Sequence, residues 1–314
     1  MGVVQVSNTE IAVFKACRRK WWLSYYRGMR PIQRETTGAL PLGARVHKAL
    51  EARYTKGVSS AAAYRELFAQ DRAAASTSEY FDSKAFDSEG DLGLKMVEGY
   101  DEWAEAEGID SDLEVLGVEE IMRAPLLDGA VELTGKIDLR VLKSRYDMQA
   151  VMDFKTTKDF GTFDQLSDMQ PQLKTYQTLW ALTRGDRDDA GELDGGIYRL
   201  LRKVKRTASA KPPFYRDVVI RHSIQTLRSY WTELNGVVYD MVAVRQHLDK
   251  YPQSTGAVAY PRVSLDCTWS CPFKPICPMF DDNPEGAEQA LTDLYHKTDP
   301  YDYYGDVNES GTES

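Results

Sequence analysis

Two acids and a lysine in the middle of the chain have the types and spacing of a metal-dependent hydrolytic site. Asp153 and Lys155 stand two residues apart in an otherwise apolar, strand-like run, and Asp138 lies near the end of the preceding strand-like run. Residues two apart on a strand point to the same face, and a hairpin would bring Asp138 close to Asp153. Adjacent carboxylates repel, and a divalent cation relieves that repulsion. Carboxylate and water oxygens suit Mg²⁺ or Mn²⁺, and a nearby ammonium can orient a water and stabilise developing negative charge. A single such acid, taken alone, is more often a solvated strand residue.

Further polar side chains around this run are candidates with weaker signals. Gln172 and Tyr176 are four residues apart and share one face of a predicted helix. His47 lies on another predicted helix, where a lone histidine is more often structural, although its imidazole would suit Mn²⁺ better than Mg²⁺. Glu119 and Glu120 both precede the carboxylates on a predicted strand. A shift of one residue in strand phase exchanges them, so the auxiliary acid stays open between the two.

Four cysteines form a second set with metal-binding potential. Cys267, Cys271 and Cys277 are close in sequence, and Cys17 is the only other cysteine available as a fourth ligand. Four thiolates suit a [4Fe–4S] cluster or structural Zn²⁺. Zinc ribbons usually pair two Cys-x2-Cys knuckles, which this chain lacks. The remaining alternative is four reduced core cysteines.

The residues around the late cysteines indicate an irregular loop. Prolines follow or flank all three, which disfavours a core helix. We expect Trp269 and Phe273 to shield the centre. A link from Cys17 to this loop would close nearly the whole chain and help to hold its terminal helices on the core.

The composition is that of an ordinary soluble protein. The chain has 314 residues, of which 42% are hydrophobic and 28% charged, enough for one elaborated domain or two small ones. No apolar run reaches the roughly 18 residues of a membrane span, and the N-terminus lacks the pattern of a signal peptide. These features predict a cytoplasmic protein, in which cysteines bind metal or stay reduced more often than they form disulfides.

The net charge of −9 is concentrated at the C-terminus. Residues 1–280 carry 38 basic and 38 acidic side chains, and residues 281–314 carry ten acids and one lysine. A neutral body can still present a basic groove beside an acidic metal site. The acidic segment itself is predicted to be a solubilising, flexible tail, although its tyrosines could dock on something.

Two basic runs are candidates for contact with nucleic acid. The first mixes cations with aromatic residues, a combination that suits single strands because bases stack and phosphates pair with cations. The second follows the predicted strand over residues 195–201. The alternative for both runs is a solvated face with core aromatics. The candidate contacts are Arg18, Arg19, Arg202, Lys203, Lys205 and Arg206.

Hydrophobic periodicity and turn residues predict a mixed α/β or α+β core wrapped by helices. Predicted helices cover residues 8–27, 42–54, 168–184 and 224–248, with two more inside 58–106. Predicted strands cover residues 114–123, 131–141, 148–156, 195–201 and 214–221.

The order and spacing of these motifs resemble the PD-(D/E)XK nuclease superfamily, in the branch of RecB-type nuclease domains, Cas4 and related phage exonucleases. Asp138 matches the second motif, Gly-x-x-Asp, and residues 153–155 match the third, Asp/Glu-x-Lys. Residues 172–176 match Gln-x-x-x-Tyr, and residues 43–47 match Gly-x-x-x-His. The resemblance covers roughly residues 7–280.

The resemblance implies roles for these residues. Asp138, Asp153 and His47 would bind Mg²⁺ or Mn²⁺, and Lys155 would position the nucleophilic water. Gln172 and Tyr176 would line the site and contact nucleic acid. One early and three late cysteines would hold a [4Fe–4S] cluster, although the family's usual late spacing is Cys-x2-Cys-x5-Cys and this chain has one residue more in the first gap.

The resemblance also implies an organisation of the chain. The fold would be restriction-endonuclease-like, with a central mixed sheet flanked by helices and terminal helical segments stapled by the cysteine centre. The predicted regions are an N-terminal helical region (1–110), the nuclease core (111–222), a C-terminal helix with the cysteine loop (223–280) and the acidic tail (281–314).

These observations favour a metal-dependent DNA nuclease, expected by family analogy to act as an exonuclease on ends or single strands. One alternative is a non-catalytic DNA-binding or scaffold subunit of a recombination complex. The intact Asp138, Asp153 and Lys155 count against it. Another is a zinc-stapled protein with no nucleic-acid role. Whether a helicase or recombinase partner is needed stays open.

Overall fold

A computed structural model of the chain describes residues 3–33, 36–78, 81–184, 191–207 and 209–304. Its helices are α1 Asn8–Ala16, α2 Arg18–Trp21, α3 Ala39–Lys56, α4 Ser60–Ala75, α5 Ser83–Ala106, α6 Phe160–Leu166, α7 Pro171–Thr183, α8 Ile224–Lys250, α9 Asp266–Trp269, α10 Met279–Asp282 and α11 Pro284–Leu294. Its strands are β1 Val4–Ser7, β2 Met29–Pro31, β3 Leu113–Leu126, β4 Val131–Lys143, β5 Met148–Thr157, β6 Gly195–Arg202, β7 Tyr215–Ile220 and β8 Tyr295–Lys297.

The chain forms two compact units. The larger unit comprises Glu35–Met122 and Lys136–Leu227, and the smaller unit comprises Met1–Arg34, Arg123–Gly135 and Arg228–Ser314. None of the described helices is long and apolar enough to cross a membrane.

The larger unit is built on a mixed sheet. Its strands follow the order β4-β5-β6-β7, and β3 also pairs with β4. The β4–β5 and β6–β7 pairs are antiparallel, whereas β5 and β6 run parallel. Helices pack on the sheet, so the predicted mixed α/β fold with a central mixed sheet is confirmed.

The two faces of β5 serve different purposes. Its even-numbered residues from Met148 to Phe154 are buried in a core that also contains side chains of α3 and α5. Its odd-numbered residues, including Asp153, point to the opposite face, where α7 lies. Gly196 on β6 permits the close approach of α7, because a Cβ there would lie 2.6 Å from Leu173.

Local signals fix the ends of the helices in the larger unit. The Ser59 hydroxyl accepts a hydrogen bond from the Ala62 N–H at the start of α4, and Asp82 does the same for Ala85 at the start of α5. Gly57, with φ of +67°, ends α3 in the left-handed conformation. Pro171 occupies the first turn of α7, so this helix begins later than the predicted residue 168.

The predicted single helix over residues 8–27 is wrong in one informative way. The backbone of Cys17 is extended, with φ of −158° and ψ of 113°, and separates α1 from α2. The sulfur of Cys17 accepts a hydrogen bond from the Arg262 N–H at 3.4 Å, and the Arg19 N–H donates to the Tyr260 carbonyl at 3.1 Å. Contacts distant in sequence thus replace part of the helical ladder.

The acidic C-terminal segment is ordered through Tyr304, in contrast to the predicted flexible tail. It contains α11 and β8, and β8 pairs antiparallel with β2. The Tyr301 hydroxyl donates to the fully buried carboxylate of Glu10. Apolar packing and buried polar partners outweigh the acidic composition here, and residues 305–314 lie outside the described part of the chain.

Arg199 offers a test of what holds the larger unit together. Its side chain is fully buried and forms a bidentate ion pair with Asp217 at 2.8 and 2.9 Å and a second pair with Asp110 at 3.0 Å. We expect Arg199→Leu to lower the free energy of unfolding by about 3–5 kcal/mol, because it leaves the largely buried carboxylate of Asp217 without its cation, whereas Asp110 keeps its pair with Arg53. Urea denaturation measures the change.

The matched control is Arg72→Leu, which removes another bidentate pair, with Asp87, on the exposed surface of the same unit. Solvent screens that pair, so its loss is expected to leave the midpoint almost unchanged. Equal effects of the two substitutions would contradict the role assigned to Arg199.

Candidate active site

The β4–β5 hairpin brings Asp138 and Asp153 together, as the sequence predicts. Leu139 pairs with Met152, so the two acids occupy the next position along the hairpin. The Phe154 N–H donates to Asp138 Oδ2 at 2.9 Å. Burial raises the pKa of Asp138 well above its usual range, and the neighbouring Asp153 raises it further. Two carboxylates held this close form an electrostatic site for a cation.

Lys155 points to the same face of β5 as Asp153. Its Nζ lies 2.6 Å from Asp153 Oδ2, and Asp153 is 1% exposed. Asp153 Oδ2 is buried and accepts no hydrogen bond from any other described residue. The ammonium therefore offsets the charge of one buried carboxylate, and its side chain, 31% exposed, can still reach a ligand at the surface.

His47 approaches the carboxylates from α3. Its Nδ1 lies 3.5 Å from Asp138 Oδ2, and its ring packs edge-on against Phe154. Burial lowers the pKa of His47 more than the Asp153 carboxylate raises it. The imidazole is therefore neutral near pH 7 and has a nitrogen lone pair suited to a metal ion.

Gln172 and Tyr176 reach the same group from α7. The Gln172 Nε2 donates to Asp153 Oδ1 at 2.7 Å and to the Tyr176 hydroxyl at 2.9 Å. Their one-turn spacing on the helix makes this possible. Gln172 thus fixes the orientation of Asp153, and Tyr176 fixes Gln172.

The structure distinguishes Glu119 from Glu120, which the sequence could not. Glu119 has φ of +53°, an unusual value for a residue other than glycine. It forms an ion pair with Lys136 and lies close enough to Asp138 and Asp153 to affect the cluster. Burial raises the pKa of Glu119, against the effect of Lys136.

Glu120 instead serves the sheet. Its carboxylate pairs with Arg140 Nε at 2.9 Å, and Arg140 is 2% exposed. The left-handed backbone at Glu119 interrupts the alternation of β3, which explains why strand phase alone gave no answer. Such local distortion is common beside functional sites.

The residues of this cluster suit Mg²⁺ or Mn²⁺ by their chemistry. Asp138 and Asp153 supply carboxylate oxygens, one of them buried, and His47 supplies a neutral nitrogen. Within the described ranges, no group of three or more His, Cys, Asp or Glu side chains is arranged to hold a metal ion. In this geometry the Lys155 ammonium lies against the carboxylate that a metal ion would bind.

The four cysteines lie in the smaller unit as free thiols, each partly buried. Cys17 and Cys267 both contact Arg262, whose N–H donates to the sulfur of Cys17 and whose carbonyl lies 3.9 Å from the sulfur of Cys267. Burial raises the pKa of Cys277; Arg19 opposes this change, and Cys17 and Cys271 add to it. The early cysteine and the late cysteines are therefore neighbours.

The two aromatic residues expected to shield the cysteines differ in exposure. Phe273 is 1% exposed and stacks on Tyr295. Trp269 is 86% exposed, because the short helix α9 directs it to solvent.

The first predicted basic run is largely occupied by contacts inside the smaller unit. Arg19 is buried and forms a bidentate ion pair with Asp281, so its prediction as a nucleic-acid contact is wrong. The guanidinium of Arg18 lies 3.5 Å above the ring of Phe14.

The second basic run follows β6 in the larger unit. The Lys203 N–H donates to the Thr157 carbonyl at 2.7 Å, so this run begins beside the end of β5 that follows Lys155. Arg202 donates to the Lys211 carbonyl, and Arg206 pairs with the exposed Glu102. The side chain of Lys205 is exposed.

Comparison with known proteins identifies the family of the chain. A family model described as the PD-(D/E)XK nuclease superfamily matches residues 5–278. The chain belongs to the PD-(D/E)XK nuclease superfamily. Membership assigns it to a superfamily of nucleases, phosphodiester hydrolases that typically use Mg²⁺ or Mn²⁺.

No curated protein matches the chain in sequence. Among solved structures, the crystal structure of SSO0001 matches with 15% sequence identity and a TM-score of 0.34, over 86% of this chain and 96% of that chain.

The burial of Asp138 beside a second carboxylate should have a measurable effect on the stability of the metal-free protein. The raised pKa of Asp138 means that the folded state favours its protonated form, so stability falls as pH rises through that pKa. Asp138→Asn should therefore raise the free energy of unfolding at neutral pH, with a gain that shrinks as the pH is lowered into the ordinary carboxyl range.

Urea denaturation in a chelating buffer at several pH values would measure this gain. Asp147→Asn is the matched control, because Asp147 is exposed on the turn of the same hairpin and has a left-handed backbone that asparagine tolerates. A gain for Asp138→Asn that grows towards acid pH would contradict the unfavourable burial of the Asp138 charge beside Asp153.

Substitution of Glu119 and of Glu120 by glutamine should affect different properties of the protein. If the cluster is catalytic, Glu119→Gln is expected to lower kcat for DNA cleavage by roughly 10- to 100-fold, because it removes a carboxylate close to Asp138 and Asp153. Glu120→Gln should lower thermal stability by weakening the pair with Arg140 while kcat of the folded enzyme changes little. Steady-state cleavage and thermal melts of both variants give the comparison, and the reverse pattern would assign the auxiliary acid to Glu120.

Proposed function

We propose that the protein is a Mg²⁺- or Mn²⁺-dependent deoxyribonuclease that degrades DNA from ends or as single strands, in recombination, repair or replication. One observation carries the proposal: Asp138, Asp153 and Lys155 lie together on a hairpin, with Gln172 bonded to Asp153. These contacts bring two carboxylates, an ammonium and an amide together at one point of the sheet.

The chain's own residues can perform most of the work of phosphodiester hydrolysis. Asp138, Asp153 and His47 would hold the metal ion, which when bound supplies Lewis-acid stabilisation of a phosphoryl oxygen and a more acidic water. Lys155 would orient the attacking water and stabilise negative charge that develops at the phosphorus. Gln172 keeps the Asp153 carboxylate in one rotamer, which is the preorganisation that such a site requires.

The basic run after β6 supports DNA as the substrate. Lys203 follows directly from the strand end beside Thr157, and Lys205 extends the run with an exposed cation. Phosphate contacts of this kind position a strand without reading its sequence. We propose that Arg202, Lys203, Lys205 and Arg206 guide the DNA backbone to the carboxylate pair.

We also propose that Cys17, Cys267, Cys271 and Cys277 hold a metal centre, a [4Fe–4S] cluster with structural Zn²⁺ as the alternative. Support comes from Arg262, which contacts both Cys17 and Cys267, and from Cys17 and Cys271, which lie close enough to Cys277 to raise the pKa of its thiol. Backbone N–H donors to sulfur, such as those of Arg262 and Ser264, are the contacts that stabilise thiolate ligands.

Digestion of end-labelled DNA tests the nuclease. Wild-type protein with Mn²⁺ or Mg²⁺ should degrade linear single-stranded or double-stranded DNA, and Lys155→Ala and Asp153→Asn should each reduce the rate by at least about 100-fold. Lys95→Ala is the matched control, since Lys95 is an exposed lysine paired with Glu98 on α5. Closed circular substrates separate exonuclease from endonuclease action.

If the wild type, loaded with its metals, cut no substrate, or if the Lys155 and Asp153 variants cut as fast as Lys95→Ala, the nuclease proposal would fail. A DNA-binding or scaffold role would then be the leading explanation of the retained fold.

The cysteine centre is tested by metal analysis of anaerobically purified protein. A [4Fe–4S] cluster predicts about four iron atoms per chain and a broad absorbance band near about 400 nm. Structural zinc predicts one zinc ion and no such band. A protein that retains neither metal, even after anaerobic reconstitution, would refute the centre.

A further inference from the structure

Arg19 is a buried cation whose contacts all lie within the smaller unit. Its side chain is 4% exposed. Its Nε donates to the Ala259 carbonyl at 3.2 Å, and Nη1 donates to the Cys277 carbonyl at 2.9 Å. Nη1 and Nη2 also pair with the two oxygens of Asp281 at 2.8 Å each. All three nitrogens of the guanidinium are therefore engaged.

These contacts connect the chain segments that carry the cysteines. Arg19 is two residues from Cys17, and its own N–H donates to the Tyr260 carbonyl at 3.1 Å. Tyr260 precedes Arg262, whose N–H donates to the sulfur of Cys17. The carbonyl of Cys277 accepts directly from the guanidinium. Arg19 thus connects the segment of Cys17 with residues 259–260, which precede the late cysteines, and with Cys277, the last of them.

We infer that Arg19 is a positioning residue for the four-cysteine centre, and that it keeps the Cys17 segment beside Cys277 so that both cysteines can serve one metal centre. The inference rests on the cysteine centre proposed above and is independent of nuclease activity. Asp281 completes the device, because it neutralises the buried guanidinium and fixes its plane through a bidentate pair.

The geometry requires arginine at this position. A guanidinium presents its donors in a rigid planar fork and serves the Ala259 carbonyl, the Cys277 carbonyl and Asp281 at once. A lysine would keep the charge, but a single ammonium cannot meet these acceptors in the same directions. Replacing an outer-shell residue that is hydrogen-bonded to a metal ligand commonly changes metal affinity by about 10- to 100-fold.

The experiment compares Arg19→Lys with Arg27→Lys in the full chain, purified anaerobically. Arg27 is the matched control because it forms the same kind of bidentate pair, with Glu288 at 2.7 Å for both nitrogens, in the same unit. After each protein is loaded with iron and sulfide, or with zinc, release of metal to a chelator is followed. We expect Arg19→Lys to release metal about 10- to 100-fold faster than wild type, and Arg27→Lys to release it at the wild-type rate.

A second readout separates positioning from general stabilisation. Thermal midpoints are measured for the metal-free and the loaded forms of wild type and Arg19→Lys. A ligand that binds the folded state raises its stability according to its affinity. If Arg19 positions the ligands, the deficit of Arg19→Lys is larger in the loaded form. An equal deficit in both forms would mean that metal affinity is unchanged and would overturn the inference.

Asp281→Asn keeps the test decisive if Arg19→Lys folds poorly. Asp281 is 60% exposed, so the amide is compatible with its surroundings, and Arg19 keeps its two carbonyl partners. We expect faster metal release than in wild type, to a smaller degree than in Arg19→Lys. Release at the wild-type rate from both variants would overturn the inference.

The proposals fail in distinguishable ways. Wild-type protein that takes up neither iron nor zinc refutes the cysteine centre, and the inference with it. Wild type that loads normally, beside Arg19 variants that release metal no faster, refutes the inference alone. Lys155→Ala should lose DNA cleavage and release metal from the cysteines at the wild-type rate, which separates both from the nuclease site.

Discussion

The repulsion between Asp138 and Asp153 is the constraint on which the larger unit depends. A hairpin register places the two acids side by side, and Asp153 is buried, so water screens their repulsion less than it would at the surface. The folded chain offsets this cost in part with the Lys155 ammonium and the Gln172 amide. Burial and, to a lesser extent, the neighbouring Asp153 still raise the pKa of Asp138, so the compensation is incomplete. A divalent cation bound between the two acids would complete the charge compensation. The fold holds the acids in this unfavourable arrangement, and that is why the site would bind a metal ion.

Maintaining that arrangement explains the supporting elements. The apolar face of β5 is buried with α3 and α5, which fixes the strand and frees its other face for polar side chains. His47 comes from α3, and Gln172 comes from α7. The left-handed backbone of Glu119 turns a third acid towards the pair while Glu120 keeps its structural partner, Arg140. Helices α3 and α7 and strand β3 thus each bring one polar side chain to the β4–β5 hairpin. Each of these side chains lies on an element that is well packed in the core.

The sequence predicts those parts of this picture that depend on short-range periodicity. Alternation places Asp153 and Lys155 on one face, and helical spacing pairs Gln172 with Tyr176. Features decided by distant contacts are not predictable in this way. The break at Cys17 depends on backbone partners more than 240 residues away. The choice between the two glutamates depends on one positive φ, and the order of the C-terminal segment depends on the buried carboxylate that accepts from Tyr301.

Charge composition is a poor guide to nucleic-acid contacts for the same reason. Whether a cation is available to bind phosphate depends on its partner in the folded chain, and not on the number of charges in its segment. Arg19 of the first basic run and Arg27, eight residues later, pair with Asp281 and Glu288 of the acidic C-terminal segment. Some of the acids that give the chain its negative charge therefore form ion pairs with arginines of the N-terminal region, which includes the first basic run. A buried, doubly paired guanidinium cannot exchange its partners for phosphate without leaving a carboxylate uncompensated. Exposed cations pay no such cost, which is why Lys205 of the second run is a better candidate for DNA contact than Arg19.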